Sequence, residues 1–379
     1  MRQVFLDTPR LVTSHRATIV SKADAKSTSP RRENRCPDPV PTGPNRSLGT
    51  RFAPLSFAYP NPRTNHPVKT YLDCIPCLIR QTLDAVSLAT ADEAVRERIL
   101  REVLAAASEM DLHQSPPAMA QRVHRRLREL TGQVDPYRAL KYHQNQLSLA
   151  FYERFRDQVS DAHDGLEMAV RLAIAGNVID LGVKSNLAES EIHEAIAACL
   201  TEPLDGDIRH FTEAIAGATR ILYLTDNAGE IVLDRLLIEH LPQDKVTVAV
   251  KGAPVINDAT MVDAEVAGIT SLVTVIDNGS DAPGTILDDC SGVFRRHFAE
   301  ADLIIAKGQG NYETLREVPA PLYFLLRVKC PVLARDLDCP IGRMVLRPAS
   351  SLPHPAGELN PIMPAKTSAS GNTNQGDRS

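Results

Sequence analysis

The chain contains no Trp, and aromatic residues make up only 4% of it. Stacking platforms for single-stranded nucleic acid need aromatic faces, so that class of partner is poorly supported. A basic excess is missing too. The 42 Lys and Arg residues stand against 47 Asp and Glu, for a formal charge of −5. A nucleic-acid footprint would need a basic face or a high pI. No run approaches the roughly 18 to 20 apolar residues that span a bilayer. No apolar secretory segment opens the chain. The seven cysteines, Cys36, Cys74, Cys77, Cys199, Cys290, Cys330 and Cys339, are scattered and odd in number. That argues for a reducing compartment and against a disulfide framework. The expectation is a cytoplasmic protein with neither nucleic-acid nor membrane partners. The motifs G-x-S-x-G, H-E-x-x-H and G-x-G-x-x-G are also absent, which removes the usual support for His-based hydrolysis and for a common dinucleotide fold.

What is present divides along the chain. Its 379 residues suit two domains at roughly 150 residues each. Residues 1–66 are rich in Pro, Ser, Arg and Asn, with little periodic apolar content. They are expected to be a disordered extension, since such a segment buries too little surface to offset its ordering entropy. Their basic, acid-poor composition also suits a transit peptide, a reading that is not favoured. Residues 350–379 are expected to be a disordered tail. Residues 67–204 carry apolar residues at i, i+3, i+4 spacing and predict a helical domain. Residues 205–349 change character. Short β-branched runs, ILYLT, VTVAV, SLVTVI, DLIIA and then YFLLRV or PVLA, alternate with helical runs. That alternation predicts an α/β/α Rossmann-like layer with a mainly parallel sheet.

In such a sheet, ligands bind outside the carboxyl ends of the strands. Asp226-Asn227-Ala228-Gly229-Glu230 follows ILYLT. Lys251-Gly252 through Asn257-Asp258 follows VTVAV, Asp277-Asn278-Gly279 follows SLVTVI, and Lys307-Gly308-Gln309-Gly310-Asn311 follows DLIIA. Asp226, Asn227 and Asp258 are hard oxygen donors of the kind Mg²⁺ takes. Lys251 and Lys307 would bring positive charge to phosphoryl oxygens. Gly308 and Gly310 would let backbone N–H groups approach an anion at a helix start, with Asn311 beside them. Together these are the parts of an electrostatic clamp for phosphoryl transfer. Plainer readings stand next to these. Asp226 with Glu230 would make a capping box, Asp258 and Thr260 would cap the following helix, and Asp277-Asn278-Gly279 reads better as a turn. Gly176-Asn177-Val178-Ile179-Asp180 reads as a helix stop or as a polar edge of a cleft. Cys74-Ile75-Pro76-Cys77 lacks a second C-x-x-C, so a structural thiol pair and a metal or redox site remain equally open.

Read together, YLDCIPCLIRQTLDA, DPYRALKYHQN, AIAGNVIDLGV, LYLTDNAGEIVLDRLL, VKGAPVINDATMVDA, LIIAKGQGNYETL and RVKCPVLA resemble the damage-control phosphatase family. These are metal-dependent phosphatases also called acidic-residue methyltransferase-like. The early C-x-x-C is similar to the archaeal and bacterial branch, and the resemblance spans about residues 70–347. It implies a helical amino-terminal part, an α/β/α carboxy-terminal part and a site between them. It implies a divalent metal (Mn, Mg, Co or Ni) held by Asp226, Asn227 and Asp258. It implies Lys307 on the phosphate, and Asn177 and Asp180 bordering the substrate pocket. Glu230 is then the candidate to position or deprotonate an attacking water. The expected activity is hydrolysis of phosphate esters of small phosphometabolites: sugar phosphates, nucleotides or damaged derivatives. The alternatives are an S-adenosylmethionine-dependent carboxyl methyltransferase and a non-catalytic phospholigand-binding protein.

Overall fold

The computed structural model describes residues 70–179 and 188–352. The expected extension 1–66, and residues 353–379 of the expected tail, lie outside them. Where that tail was expected to begin, Ala349–Ser351 forms a 3-10 turn and Leu352 is buried in the core.

Among the described residues, these helices come first: α1 Cys74–Ala89, α2 Glu93–Ser108, α3 Pro116–Thr131, α4 Arg138–Asp161, α5 Gly165–Ala175 and α6 Glu189–Thr201. Their ends follow local chemistry. The Asp92 carboxylate accepts from Ala94 N and Val95 N, and Asp164 accepts from Glu167 N. Each satisfies N–H groups that a helix start leaves without partners. Pro116 and Pro117 open α3, and Gly132 closes it at φ +68°, a left-handed conformation that glycine adopts without a Cβ penalty. Ile99, Val103, Met119, Val123 and Leu127 join the first three helices in a core of their own.

A seven-stranded sheet follows: β1 Leu204–Gly206, β2 Ile221–Leu224, β3 Val246–Val250, β4 Thr274–Asp277, β5 Leu303–Lys307, β6 Leu322–Arg327 and β7 Met344–Pro348. The order is β1-β7-β6-β5-β2-β3-β4. Every pairing is parallel except β6 with β7. Between the strands run α7 Ile208–Gly217, α8 Glu230–Ile238, α9 Met261–Val266, α10 Gly292–Glu300, α11 Gly308–Leu315 and α12 Pro331–Asp336. Successive side chains of a strand point to opposite faces, and here both faces are apolar. Tyr223, Val248, Ile305 and Leu325 enter one core with residues of α4, α5 and α8. Leu224, Ala249, Ile304 and Phe324 enter the other with Phe294, Phe298, Tyr312 and Leu333. Helices therefore cover a buried, mainly parallel sheet on both sides, as the near-continuous apolar strands require.

The expected elements shift in four places. Residues 271–273 of SLVTVI leave the strand, because a 3-10 turn occupies Ile269–Ser271. PVLA lies in α12, started by Pro331 at its first turn. The segment LDDC forms a 3-10 turn over Leu287–Asp289, and α10 begins only at Gly292. β1 and β7 were not expected as strands; each pairs with the other at the edge of the sheet.

Candidate active site

The chain runs β2, β3, β4 in one direction across the sheet and then returns to place β5 on the other side of β2. The two βα turns at this reversal, after β2 and after β5, diverge and open a crevice at the carboxyl ends of the strands. Asp226 and Asn227 leave β2 at that crevice, and Lys307-Gly308 leaves β5 there. The third turn, after β3, folds back over them. Asn227 and Asp258 form an antiparallel bridge, with Ala228 N donating to Asn257 O at 2.8 Å and Ala259 N to Asp226 O at 2.8 Å. Asp226, Asn227 and Asp258 are thus brought together although they come from different turns, and all three are buried.

The capping alternatives resolve differently for each residue. The N-cap of α8 is Gly229 at φ +77°, so Asp226 does not cap that helix. Thr260, not Asp258, caps α9: its N–H and hydroxyl both donate to Asp263 Oδ2, at 2.8 and 2.7 Å. The Asp277 side chain accepts from Gly279 N at 2.9 Å and makes the turn expected of it. The Gly229 N–H is held from the helical part of the chain by Asn145 Oδ1 at 2.7 Å.

Burial pushes the Asp226 carboxyl well above the usual carboxylate range. The Glu230 and Asp258 charges add to this, against the Lys329 and Lys307 ammonium groups. Burial raises Asp258 as well, against Lys251. Asp258 Oδ2 and Asn177 Oδ1 are buried with no hydrogen-bond partner. Asn227 Nδ2 donates to Asp226 Oδ2 at 2.8 Å and to Glu230 Oε2 at 3.2 Å, which leaves its amide oxygen as the free donor atom for a ligand. Two buried carboxyls that resist ionising, with an orphaned oxygen beside an amide, fit a hard divalent cation, whose charge would reverse that resistance. Among the described residues no three His, Cys, Asp or Glu side chains gather as a metal-ligand group. The fitting set is two carboxylates and an amide, few enough to leave positions for water and substrate.

Lys307 occupies a different place from the one expected of it. It is fully buried, and its ammonium donates to Ala173 O at 2.8 Å, Glu230 Oε1 at 2.8 Å and Asp234 Oδ1 at 2.5 Å. An ammonium has three hydrogens, so none is left for a phosphoryl oxygen. Burial alone would lower its pKa, but the paired Asp234 and Glu230 charges raise it instead. The residue locks Glu230, whose other oxygen accepts from Asn177 Nδ2 at 3.0 Å. Gly176 permits this approach, since a Cβ there would lie 3.1 Å from Glu230 Cγ. Asn177 is thus brought to the site, while Asp180 lies outside the described residues.

The remaining expected ligands serve as scaffold. Lys251 is buried, donates to Gly284 O and lies 3.4 Å from Asp258 Oδ2. Asn311 donates to Thr225 O at 3.1 Å and Lys307 O at 2.8 Å, and accepts from Thr285 Oγ1 at 2.8 Å, tying the ends of β2 and β5. Gly308 has φ +80°, and a Cβ on it would fall 2.0 Å from Asp226 Oδ2. The glycine makes room for the carboxylate. A Cβ on Gly310 would meet the Gly284 backbone at 2.9 Å.

Two residues of this rim were not singled out from the sequence. Asp234, four residues after Glu230 on α8, was readable as a lone acid inside the apolar run IVLDRLLI. Lys329 follows β6, whose carboxyl end opens on the same rim. It is exposed, and its charge acts on both Asp226 and the buried Glu313. The sequence leaves the last strand open between YFLLRV and PVLA, so it does not mark Lys329 as lying at a strand end.

Residues 70–345 match the damage-control phosphatase ARMT1-like domain. An uncharacterised protein of Methanocaldococcus jannaschii is 37% identical over 294 residues, covering 74% of this chain and 95% of its own. A damage-control phosphatase of Archaeoglobus fulgidus is 34% identical over 283 residues, covering 72% of this chain and 97% of its own. A crystal structure of a DUF89 family protein from Pyrococcus horikoshii superposes with a TM-score of 0.68 at 33% identity, over 74% of this chain and 99% of that one. On these matches, and on the rim geometry above, the chain belongs to the damage-control phosphatase ARMT1-like family.

Proposed function

We propose that this protein hydrolyses phosphate esters of small phosphorylated metabolites and uses a divalent cation held by Asp226, Asn227 and Asp258. The observation that carries the reading is the buried pair of carboxyls, Asp226 and Asp258, brought together where the turn after β3 bridges the turn after β2, with Asp258 Oδ2 left without a hydrogen-bond partner. The relatives named damage-control phosphatases support the reaction class. A bound cation supplies charge neutralisation for the phosphoryl oxygens.

The chain's own residues do the rest. Lys329, exposed at the rim, meets the phosphate that the buried Lys307 does not reach. Glu230 orients the attacking water. A carboxylate has about four acceptor sites. Lys307, Asn177 and Asn227 take three of them, and the fourth accepts the proton of a water placed in line with phosphorus. Lys307 holds Glu230 in that position. The leaving alkoxide departs from the side opposite the water.

Phosphate release from a panel of sugar phosphates and nucleotides, with Mg²⁺, Mn²⁺, Co²⁺ or Ni²⁺ and after chelation, tests this. Release with at least one cation, and its loss on chelation, is expected. Folded protein that releases phosphate from no member with any cation sinks the reading, and phosphate-ester binding without release would favour a binding protein.

A further inference from the structure

The stretch DPYRALKYHQN opens α4, and the chemistry above gives that helix only one contact with the rim. Lys141, Gln144, Asn145 and Ser148 stand at i, i+3, i+4 and i+7, on one side of the helix, and all four are buried. Polar groups taken out of water need partners inside the protein. Ser148 Oγ finds one in its own helix, donating to Gln144 O at 3.0 Å. The other three reach the chain that follows β2 and β3.

Asn145 spans both segments. Its Oδ1 accepts from Gly229 N at 2.7 Å, three residues after Asp226, and its Nδ2 donates to Asp263 Oδ1 at 2.8 Å. A carboxylate only accepts and a backbone N–H only donates, so the amide has one orientation. Asp263 Oδ2 accepts from the N–H and hydroxyl of Thr260, two residues after Asp258, and Lys141 Nζ lies 3.3 Å from the same oxygen. Gln144 presses on both turns as well. A Cβ on Gly229 would fall 3.0 Å from Gln144 Cβ, and Asn257 Nδ2 stands 3.5 Å from Gln144 Oε1.

We infer that Asn145 is a positioning residue of the cation site. From α4 it fixes how the Asp226 and Asp258 turns lie against each other, and so sets how tightly the site holds a small cation and how well it rejects a larger one. This role rests on the cation site proposed above. The two turns already share one attachment, the backbone bridge between Asn227 and Asp258. A single attachment leaves the two chains able to pivot. Asn145 ties them a second time, at the starts of α8 and α9, and two points define an orientation. Small divalent cations such as Mg²⁺ demand near-ideal ligand positions, whereas Ca²⁺ accepts flexible sites. Loosened turns therefore lose affinity for a small cation more than for Ca²⁺. Asn145 acts through the turns it joins, since its amide is already engaged with them.

Calorimetric titration of the chelated full chain with Mn²⁺ and with Ca²⁺ tests this, beside denaturant unfolding without metal. Asn145→Ala should bind Mn²⁺ about tenfold or more weakly. Its Ca²⁺ affinity should change less, so that the preference for Mn²⁺ narrows roughly fivefold. Phosphate release should need more Mn²⁺ for half its maximal rate, with kcat at saturation within about threefold of normal. Val103→Ala opens a cavity in the separate core of α1, α2 and α3. It should lower the denaturant midpoint and leave both affinities unchanged. The double exchange Asn145→Asp with Asp263→Asn keeps the link between α4 and α9 with donor and acceptor reversed, and keeps an acceptor for Gly229 N. It should restore the Mn²⁺ preference to within about threefold. An Asn145→Ala protein with unchanged Mn²⁺ affinity and preference overturns the role of Asn145. A loss matched by Val103→Ala, a double exchange as weak as Asn145→Ala, or a fall in kcat alone does the same. If Asn145→Ala does not fold, Asn145→Ser, whose hydroxyl is too short to span the two segments, takes its place in each comparison. Unsubstituted protein that binds neither cation removes the cation site itself, and this role with it.

Discussion

The two ends of the same strands differ in how their charges are met. At the amino ends of β2, β3 and β4 lies a cavity of about 700 Å³, lined by residues such as Arg220, Lys245, Thr247, His297 and Glu300. Two of its cations have partners: Arg220 Nε donates to Glu300 O at 2.8 Å and Lys245 Nζ to Ala218 O at 3.0 Å. Nearby, the Thr219 hydroxyl and the Thr219 and Arg220 N–H groups hold the Asp302 carboxyl below its usual range. At the carboxyl ends the acids are pushed the other way. Burial raises Asp226, Asp258 and Asp234, the last to about 6. Open volume therefore marks one end, and acids raised by burial the other. Only the second has stored electrostatic energy that a ligand can release, which is why perturbed acids locate a site better than size does.

The comparison breaks outright if the carboxyl end is silent. Asp226→Ala and Asp258→Ala should each lower phosphate release on the order of a thousandfold, the scale for removing a main electrostatic contact to the transition state. Circular dichroism should show the fold retained. Normal turnover of p-nitrophenyl phosphate by either variant with added Mn²⁺ or Ni²⁺ would remove the site from this rim. Gly308→Ala tests the same place through shape, because the new Cβ would strike Asp226. It should reduce cation affinity at least tenfold in a titration followed by calorimetry.

Within the rim, the two lysines make a sharper contrast. Lys307→Met leaves Glu230 and Asp234 buried without their cation, a loss of about 3–5 kcal/mol. It should appear as a lower denaturant midpoint. Lys329→Ala removes an exposed cation and should change stability by only about 0.5 kcal/mol, while raising KM for phosphate esters. Equal stability losses in the two variants would contradict the division between a lysine that holds Glu230 and one that meets substrate.

Much of the carboxyl end was legible from residue order. β2, β3 and β5 are short β-branched runs buried on both faces, and the turns after them carry Asp226, Asp258 and Lys307 where an α/β sheet puts ligands. The direction of a long side chain was not legible. Lys307 leaves the rim and turns inward, because Asp234 sits one helical turn beyond Glu230 and the Ala173 carbonyl completes its donor set. Nothing local to Lys307-Gly308 signals a partner 73 residues away. β1 and β7 escaped for a related reason: β1 has only three residues, and β7 runs antiparallel to β6, so neither reads as another long strand of a parallel sheet. Their pairing exists only in the folded sheet.

Glu313 offers a smaller effect with a defined sign. Burial raises its carboxyl to about 7, against a hydrogen bond from Gln309. A raised acid binds its proton more tightly in the folded state. Its contribution to stability is therefore full below its ordinary pKa, near 4.5, and is lost as pH rises through about 7. Glu313→Gln removes that dependence. The variant should unfold at a higher temperature than the unsubstituted protein at pH 8, by roughly 1–3 kcal/mol in stability, and at a similar temperature at pH 4. A difference that grows toward low pH would show that the carboxylate is stabilised, not strained, in its buried setting.

The smallest effect is expected at the amino-end cavity. Arg220→Ala removes the hydrogen bond to Glu300 O and a 3.7 Å contact with Glu300 Oε2, in a side chain 62% exposed to solvent. Exposed ion pairs contribute about 0–1 kcal/mol, so the unfolding midpoint should barely move. Turnover should stay within about twofold, because this cavity lies at the opposite ends of the strands from Asp226 and Asp258. A large fall in kcat/KM for Arg220→Ala, at unchanged stability, would mean that the amino-end cavity takes part in the reaction. The strain in Asp226 and Asp258 would then have to be assigned to holding the β2 and β3 turns together, and the oxygen-rich turn after β2 would lose its catalytic meaning.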